Sequence, residues 1–331
     1  MERFALAAAV VLGFALTAAL CSLFVPLRRV LERREQNQQP AQSEQPRPVP
    51  LRAPLWGGLC AAAGTVAAVG VGWLAACVGQ PELLGSEGRL MTRLLTALAG
   101  SLAFGAVGLA EDLARMRSPA ALGLRRDVRL LLEALAAAFV LLLLRAAGCL
   151  PRGLDVPGAG YVLLGSAVPF LWAVLMVALA ECARIAERDE GAVCGAAFVA
   201  MLALMMVEAG LGVSGLAVLP GALAGALVAL GLWAFPPARL GVGCCGSLLA
   251  AGAIGCIPLS LDMTSLTVPL ALPFWAAGGL LAAQLLGAKR TGKPLRCWVK
   301  KHKMSPETVF LCSFALSAVG YVLALALLRW C

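Results

Sequence analysis

Acidic residues are scarce in this chain, 18 among 331, so where they gather is informative. Glu111 and Asp112 are adjacent, and Glu187, Asp189 and Glu190 crowd a second short stretch. Basic residues accompany them: Arg115 and Arg129 stand near the first group, Arg184 and Arg188 beside the second, and Lys301-His302-Lys303 forms a late basic segment. Carboxylates set against cations are what a hard divalent ion and a phosphorylated substrate need together, oxygen donors for the metal and positive groups for the phosphates. The plainer alternative is that these are loop-end charges beside a basic surface, solvated and inert. Spacing alone leaves both open.

The elements that must position these groups are membrane helices. The chain is 61% hydrophobic and 14% charged, with mean hydropathy +0.88; a soluble domain is nearer half apolar and a quarter charged. A spanning helix needs about 20 apolar residues, and ten candidates emerge: 4–27, 54–78, 92–110, 127–148, 160–180, 192–209, 213–233, 246–262, 266–287 and 307–330. The first is long, with a short charged start, and reads as an uncleaved span rather than a signal peptide. Interior prolines (Pro169, Pro220, Pro258, Pro269, Pro273) are tolerated where neighbouring helices satisfy the freed backbone groups. Gly221 and Gly225, four apart, would let two helices approach closely. The expectation is an all-α polytopic bundle of about ten spans, one integral membrane domain over 1–331.

Charge placement orients it. Of the 27 Lys and Arg, 21 fall in the alternate segments 28–53, 111–129, 181–191, 234–247 and 288–306, which puts those segments on the cytoplasmic side and both termini on the extracytoplasmic side. Segment 28–53 reads as a flexible cytoplasmic loop, and 288–306 as a basic cytoplasmic loop. The net charge of +9 is distributed in short loops, a topology signal and no sign of nucleic-acid binding. The 12 cysteines lie mostly in apolar runs as small fillers. Cys244, Cys245, Cys297 and His302 do not have the spacing of a zinc site.

Four segments in order carry a resemblance: Pro54-Leu55-Trp56-Gly57-Gly58; Gly108-Leu109-Ala110-Glu111-Asp112, followed by Gly123-Leu124 and Arg129; Phe235-Pro236-Pro237-Ala238-Arg239, leading into Gly243-Cys244-Cys245-Gly246-Ser247; and Lys301-His302-Lys303. The chain resembles, over nearly its whole length, the polyprenyl-phosphate N-acetylhexosamine-1-phosphate transferases (glycosyltransferase family 4), and most closely the MraY-like branch, the phospho-N-acetylmuramoyl-pentapeptide translocases. The resemblance implies a bacterial inner-membrane protein with its active face in the cytoplasm. It would pass a phospho-sugar from a UDP-sugar to undecaprenyl phosphate with Mg²⁺, in cell-wall lipid-intermediate synthesis. A homodimer is compatible with it.

Carried onto this sequence, the resemblance makes Glu111 and Asp112 the catalytic acids, holding metal or deprotonating the lipid phosphate. Arg115, Arg129, Lys301, His302 and Lys303 would grip phosphates, and Glu187 and Glu190 would bear on the sugar nucleotide or metal. Several positions depart from the family pattern. Glu111 stands for an aspartate, Arg115 and Arg129 for lysines, and Glu133 for a glutamine, four residues after Arg129 and so able to pair with it. Glu181 and Arg184 stand for asparagines. Cys244 stands at the family's metal-binding aspartate, and Mg²⁺ has little use for a soft thiolate. Two classes stay open: a transferase of altered specificity or reduced activity, and a non-catalytic paralogue that binds polyprenyl phosphate or a partner membrane protein. A transporter using the intramembrane acids is a third.

Overall fold

In a bilayer every backbone N–H and C=O needs an internal partner, so a long apolar run has the helix as its natural form. The structure, a computed structural model, describes residues 2–38, 56–79, 88–117, 123–151, 153–156, 160–163, 165, 167–187, 191–213, 215–235, 239–286 and 305–328. The long helices are α1 (Glu2–Gln38), α2 (Gly57–Gly79), α3 (Gly88–Arg117), α4 (Arg126–Ala146), α5 (Ala167–Ala186), α6 (Ala192–Gly210), α7 (Val218–Ala234) and α8 (Gly243–Leu261). A short α9 (Thr267–Leu270) precedes α10 (Leu272–Leu286) and α11 (Pro306–Leu328). Among the described residues, seven helices are long and apolar enough to cross a membrane: the helices over 6–24, 57–78, 90–117, 167–186, 192–210, 243–261 and 307–327. Helix α7 is apolar but shorter, and α4 carries Arg129, Glu133 and Arg145 along its length. The protein is a multi-pass α-helical membrane bundle.

Four details correct the expected elements. Residues 160–163 do not open a helix. They form strand β2 (Gly160–Leu163), antiparallel to β1 (Gly153–Val156) with Gly153 opposite Leu163, so a small hairpin interrupts the all-α architecture. Glycines and prolines between Gly148 and Gly160 explain it, since they break the helical run on both sides. The ninth apolar segment is divided into a 3₁₀ turn (Thr264–Leu266), α9 and α10, because Pro269 and Pro273 each remove a backbone donor. Helix α3 runs on to Arg117, which puts Glu111, Asp112 and Arg115 inside its last turns and off the loop. Helix α1 continues to Gln38, so the first part of segment 28–53 is helical; the rest of it, and most of 288–306, lies outside the described residues.

Helix α8 is the axis of the bundle. Residues 242–260 are buried without interruption, the signature of a helix with neighbours on every side. Ser101 and Phe104 of α3 cover Gly252, Met176 of α5 covers Gly255, and Gly58 of α2 meets Gly246. Helices α1 and α2 run antiparallel, with Thr17 against Gly64 and Phe24 stacked on Trp56 at 5.8 Å between ring centroids. The close approach is made at Gly225, where a side chain would occupy the space of the Val10 carbonyl of α1, while Gly221 lies between Met205 of α6 and Val10.

The tightest crossing bearing on the charged residues is at Gly108, where a Cβ would collide with the backbone of Cys244 and Cys245. Overpacking by a branched side chain there should cost about 1–3 kcal/mol or more. Gly108→Val is therefore expected to lower the unfolding midpoint measured by thermal denaturation in detergent. Gly70→Ala is the control: with nothing within 4 Å of its Cβ position, it should be neutral or stabilise by up to about 1 kcal/mol.

Candidate functional site

The first N–H groups of any helix lack partners on that helix. At α8 no side chain of the N-cap residue supplies one; another helix does. Asp112 of α3, fully buried, accepts the Cys244 N–H at 3.0 Å on one carboxylate oxygen and the Cys245 N–H at 2.9 Å on the other. A carboxylate at the positive end of a helix is well placed electrostatically. Gly108, one turn earlier on the same face of α3, permits the approach that brings Asp112 there. Helix α2 is fastened to the same end of α8, by the Gly57 N–H donating to the Gly241 carbonyl at 3.2 Å.

From Asp112 a chain of ion pairs runs across three helices, α3, α4 and α5, and Glu187 just beyond α5. Arg115 donates to Glu111 Oε1 at 2.7 Å, with glutamate N-terminal to its cation at i,i+4, the favoured order. Its other terminal nitrogen lies 3.7 Å from Asp112 Oδ1 and 3.6 Å from Glu187 Oε2. Gly123, at φ +71°, packs on the Arg115 stem, where a side chain would be both strained and obstructed. Arg129 of α4 stands 3.7 Å from Glu111 Oε1 and donates through Nε to Glu181 Oε1 at 2.7 Å. Arg184 donates to the other Glu181 oxygen at 2.5 Å. The Cys244 thiol faces Glu187 at 3.9 Å.

Three guanidinium groups thus meet five carboxylates. Glu111 Oε2, Arg184 Nε and both oxygens of Glu133 have no hydrogen-bond partner among the described residues; the expected Arg129–Glu133 pair exists at 4.0 Å only. No group of three or more His, Cys, Asp or Glu side chains among the described residues is arranged to hold a metal ion.

Of the residues singled out from sequence, Glu111, Asp112, Arg115, Arg129, Glu187 and Cys244 come together at one end of the bundle. Glu190, Lys301, His302 and Lys303 lie outside the described residues. Glu181 and Arg184 are full members of the network, which the resemblance, implying asparagines there, does not reveal. Their i,i+3 spacing of opposite charges on an apolar helix was the available signal. Gly108 belongs to the Gly108–Asp112 segment, and its packing against Cys244 and Cys245 has no local sequence signal.

Every described member of this network lies within residues 94–262, the stretch that matches glycosyl transferase family 4. Over 170 residues the chain is 32% identical to the phospho-N-acetylmuramoyl-pentapeptide-transferase of Desulforudis audaxviator (strain MP104C), covering 48% of this chain and 50% of that protein. The alignment thus spans about half the length of that relative. The chain belongs to glycosyl transferase family 4.

Removing one partner of a buried ion pair leaves an uncompensated charge and costs about 3–5 kcal/mol. Arg129→Met should do this to Glu181 and Glu111 and destabilise the fold on that scale, read from chemical unfolding in detergent. Glu133→Gln should behave oppositely. Its carboxylate is buried without hydrogen bonds, so neutralising it should leave stability within about 1 kcal/mol of the parent or raise it.

Proposed function

We propose that this family 4 scaffold, of the MraY-like kind, binds undecaprenyl phosphate at the cytoplasmic face of a bacterial inner membrane and does not carry out phospho-sugar transfer. The observation behind this reading is that the charged residues at the expected catalytic positions are committed to one another. Both Asp112 oxygens cap α8, Glu111 is held by Arg115, and a thiol stands at Cys244. In this reading ten helices cross the bilayer with both termini outside, as the 21 basic residues on alternate segments favour. The lipid phosphate is met by Arg115, whose side chain keeps 17% exposure, by Arg129, and by Lys301, His302 and Lys303 of the basic segment.

A second reading is a working transferase. The adjacent acids Glu111 and Asp112 at the end of α3 favour it, as does the activity for which the Desulforudis audaxviator relative is named. In that case a UDP-linked N-acetylmuramoyl-pentapeptide is the substrate to test, with Mg²⁺ held by the two acids.

Purified full-length protein with that UDP-sugar, undecaprenyl phosphate and Mg²⁺ is expected to release no UMP above a heat-inactivated control. Undecaprenyl phosphate alone is expected to raise the melting temperature, and more than undecaprenol does. Turnover that disappears in Asp112→Asn would sink the non-catalytic reading. Absence of both turnover and lipid-phosphate binding would sink both readings.

A further inference from the structure

We infer that Arg115 is the resident cation of this site, a tethered guanidinium at the point where Glu111, Asp112 and Glu187 converge, so that the site is organised without a divalent metal ion. The inference deepens the reading above, resting on the same cluster, but it concerns charge compensation and holds whether or not a lipid binds.

The first support is the distribution of distances about one side chain. Arg115 lies 2.7 Å from Glu111, 3.7 Å from Asp112 and 3.6 Å from Glu187. These acids come from α3 and from the residue just beyond α5, and the guanidinium is the group that faces all three. Each has a counter-charge in place: the N-terminus of α8 for Asp112, Arg115 and Arg129 for Glu111, and Arg115 for Glu187. Gly123 packs on the arginine stem, where a Cβ would lie 3.1 Å from Arg115 Cγ.

The second support is the donor set a metal would meet. Mg²⁺ requires oxygen ligands in a near-octahedral shell. Each Asp112 oxygen already accepts a capping N–H, so a metal would have to share both oxygens with two donors whose bonds it would weaken. Glu111 Oε1 is taken by Arg115, and only Oε2 lacks a hydrogen-bond partner among the described residues. The Cys244 thiol is a soft donor poorly matched to a hard ion. A divalent cation entering the cluster would also sit beside the Arg115 guanidinium, a like charge in a partly dehydrated setting. The arginine, in contrast, uses one of its five donors on Glu111, and the remaining N–H groups give it the capacity to bridge these acids to a phosphate oxygen, as a metal ion would.

The test titrates the full-length protein with Mn²⁺, followed by electron paramagnetic resonance, with no lipid or nucleotide present. Melting temperature is measured in parallel with Mg²⁺ and with EDTA. The wild type is expected to show no saturable Mn²⁺ binding sensitive to Glu187→Gln, and the same melting temperature in Mg²⁺ and EDTA. Arg115→Met, similar in length but neutral, should bind Mn²⁺ at least about tenfold more tightly, because a positive charge has left the carboxylates. It should also become more stable in Mg²⁺ than in EDTA. Saturable wild-type binding that Glu187→Gln abolishes would overturn the inference, and so would a folded Arg115→Met with no gain in affinity. If Arg115→Met does not fold under either condition, the wild-type titration decides alone. Undecaprenyl-phosphate binding is scored separately, so its failure would count against the proposed function and leave the resident cation standing.

Discussion

The N-terminus of α8 ends inside the protein, and the Asp112 carboxylate answers two of its orphan N–H groups at 3.0 and 2.9 Å. Because α8 is enclosed from residue 242 to 260, its position governs where α2, α3 and α5 can lie. Small residues set how near they come: Gly58 beside Gly246, and Gly108 against the backbone of Cys244 and Cys245. An uncapped helix end at this depth would leave strong donors unpaired in a medium that cannot solvate them. The carboxylate removes that liability and, by its own charge, complements the helix dipole. Glu111 and Arg115 then follow from helical geometry, one residue before and one turn after the fixed point. Even the hairpin and the broken ninth segment are peripheral to this arrangement.

The charges around Asp112 obey a different economy from surface ion pairs. A buried pair gains little over a well-packed apolar replacement, since desolvation consumes much of the Coulomb attraction, whereas a broken pair is costly. The run from Arg184 through Glu181, Arg129, Glu111 and Arg115 to Glu187 is therefore better understood as a specificity device than as a source of stability. It joins α3, α4 and α5 in one register, because Arg115 and Arg129 each have ion-pair partners on more than one element, while Arg184 holds Glu181 from within α5. Arginine suits this role: its planar fork is always charged and can address two carboxylates at once. Glu133 shows the limit of the device. It sits on α4 one turn from Arg129, yet Arg129 is drawn to Glu181 at 2.7 Å and leaves Glu133 at 4.0 Å.

Much of the fold was legible because lipid imposes a strong rule: long apolar runs become helices, and each of the ten runs contains one. What sequence periodicity could not place were the points where local chemistry overrides hydropathy. Residues 160–163 are apolar enough for a span, but the glycines around them let two short strands pair. Residues 266–287 are apolar throughout, and their prolines divide them. The charged cluster was legible for a related reason, that acids are rare here and costly to bury, so Glu111, Asp112 and Glu187 stood out. Glu181 and Arg184 carried the same signal more weakly, each reading as a departure from a pattern before it could be read as a partner. The capping of α8 by Asp112 joins residues 132 apart in sequence, and nothing local announces a contact of that kind.

The departures from the family pattern gain a common meaning once their contacts are known. Glu181 and Arg184, at positions where the resemblance would place asparagines, bind each other at 2.5 Å. Where the resemblance implies lysines, Arg129 takes the other Glu181 oxygen and Arg115 holds Glu111. Glu181 and Arg184 supply each other's counter-charge, whereas Arg115 and Arg129 keep the charge a lysine would carry and add a fork that reaches two partners. Cys244 completes the logic. Its thiol points at Glu187 across 3.9 Å, and an aspartate at that position would set a second carboxylate against the first, with Arg115 already shared among three acids. A neutral donor avoids that conflict. These charges thus depend on one another through direct contact, Arg184 on Glu181, Glu181 on Arg129 and Glu111 on Arg115.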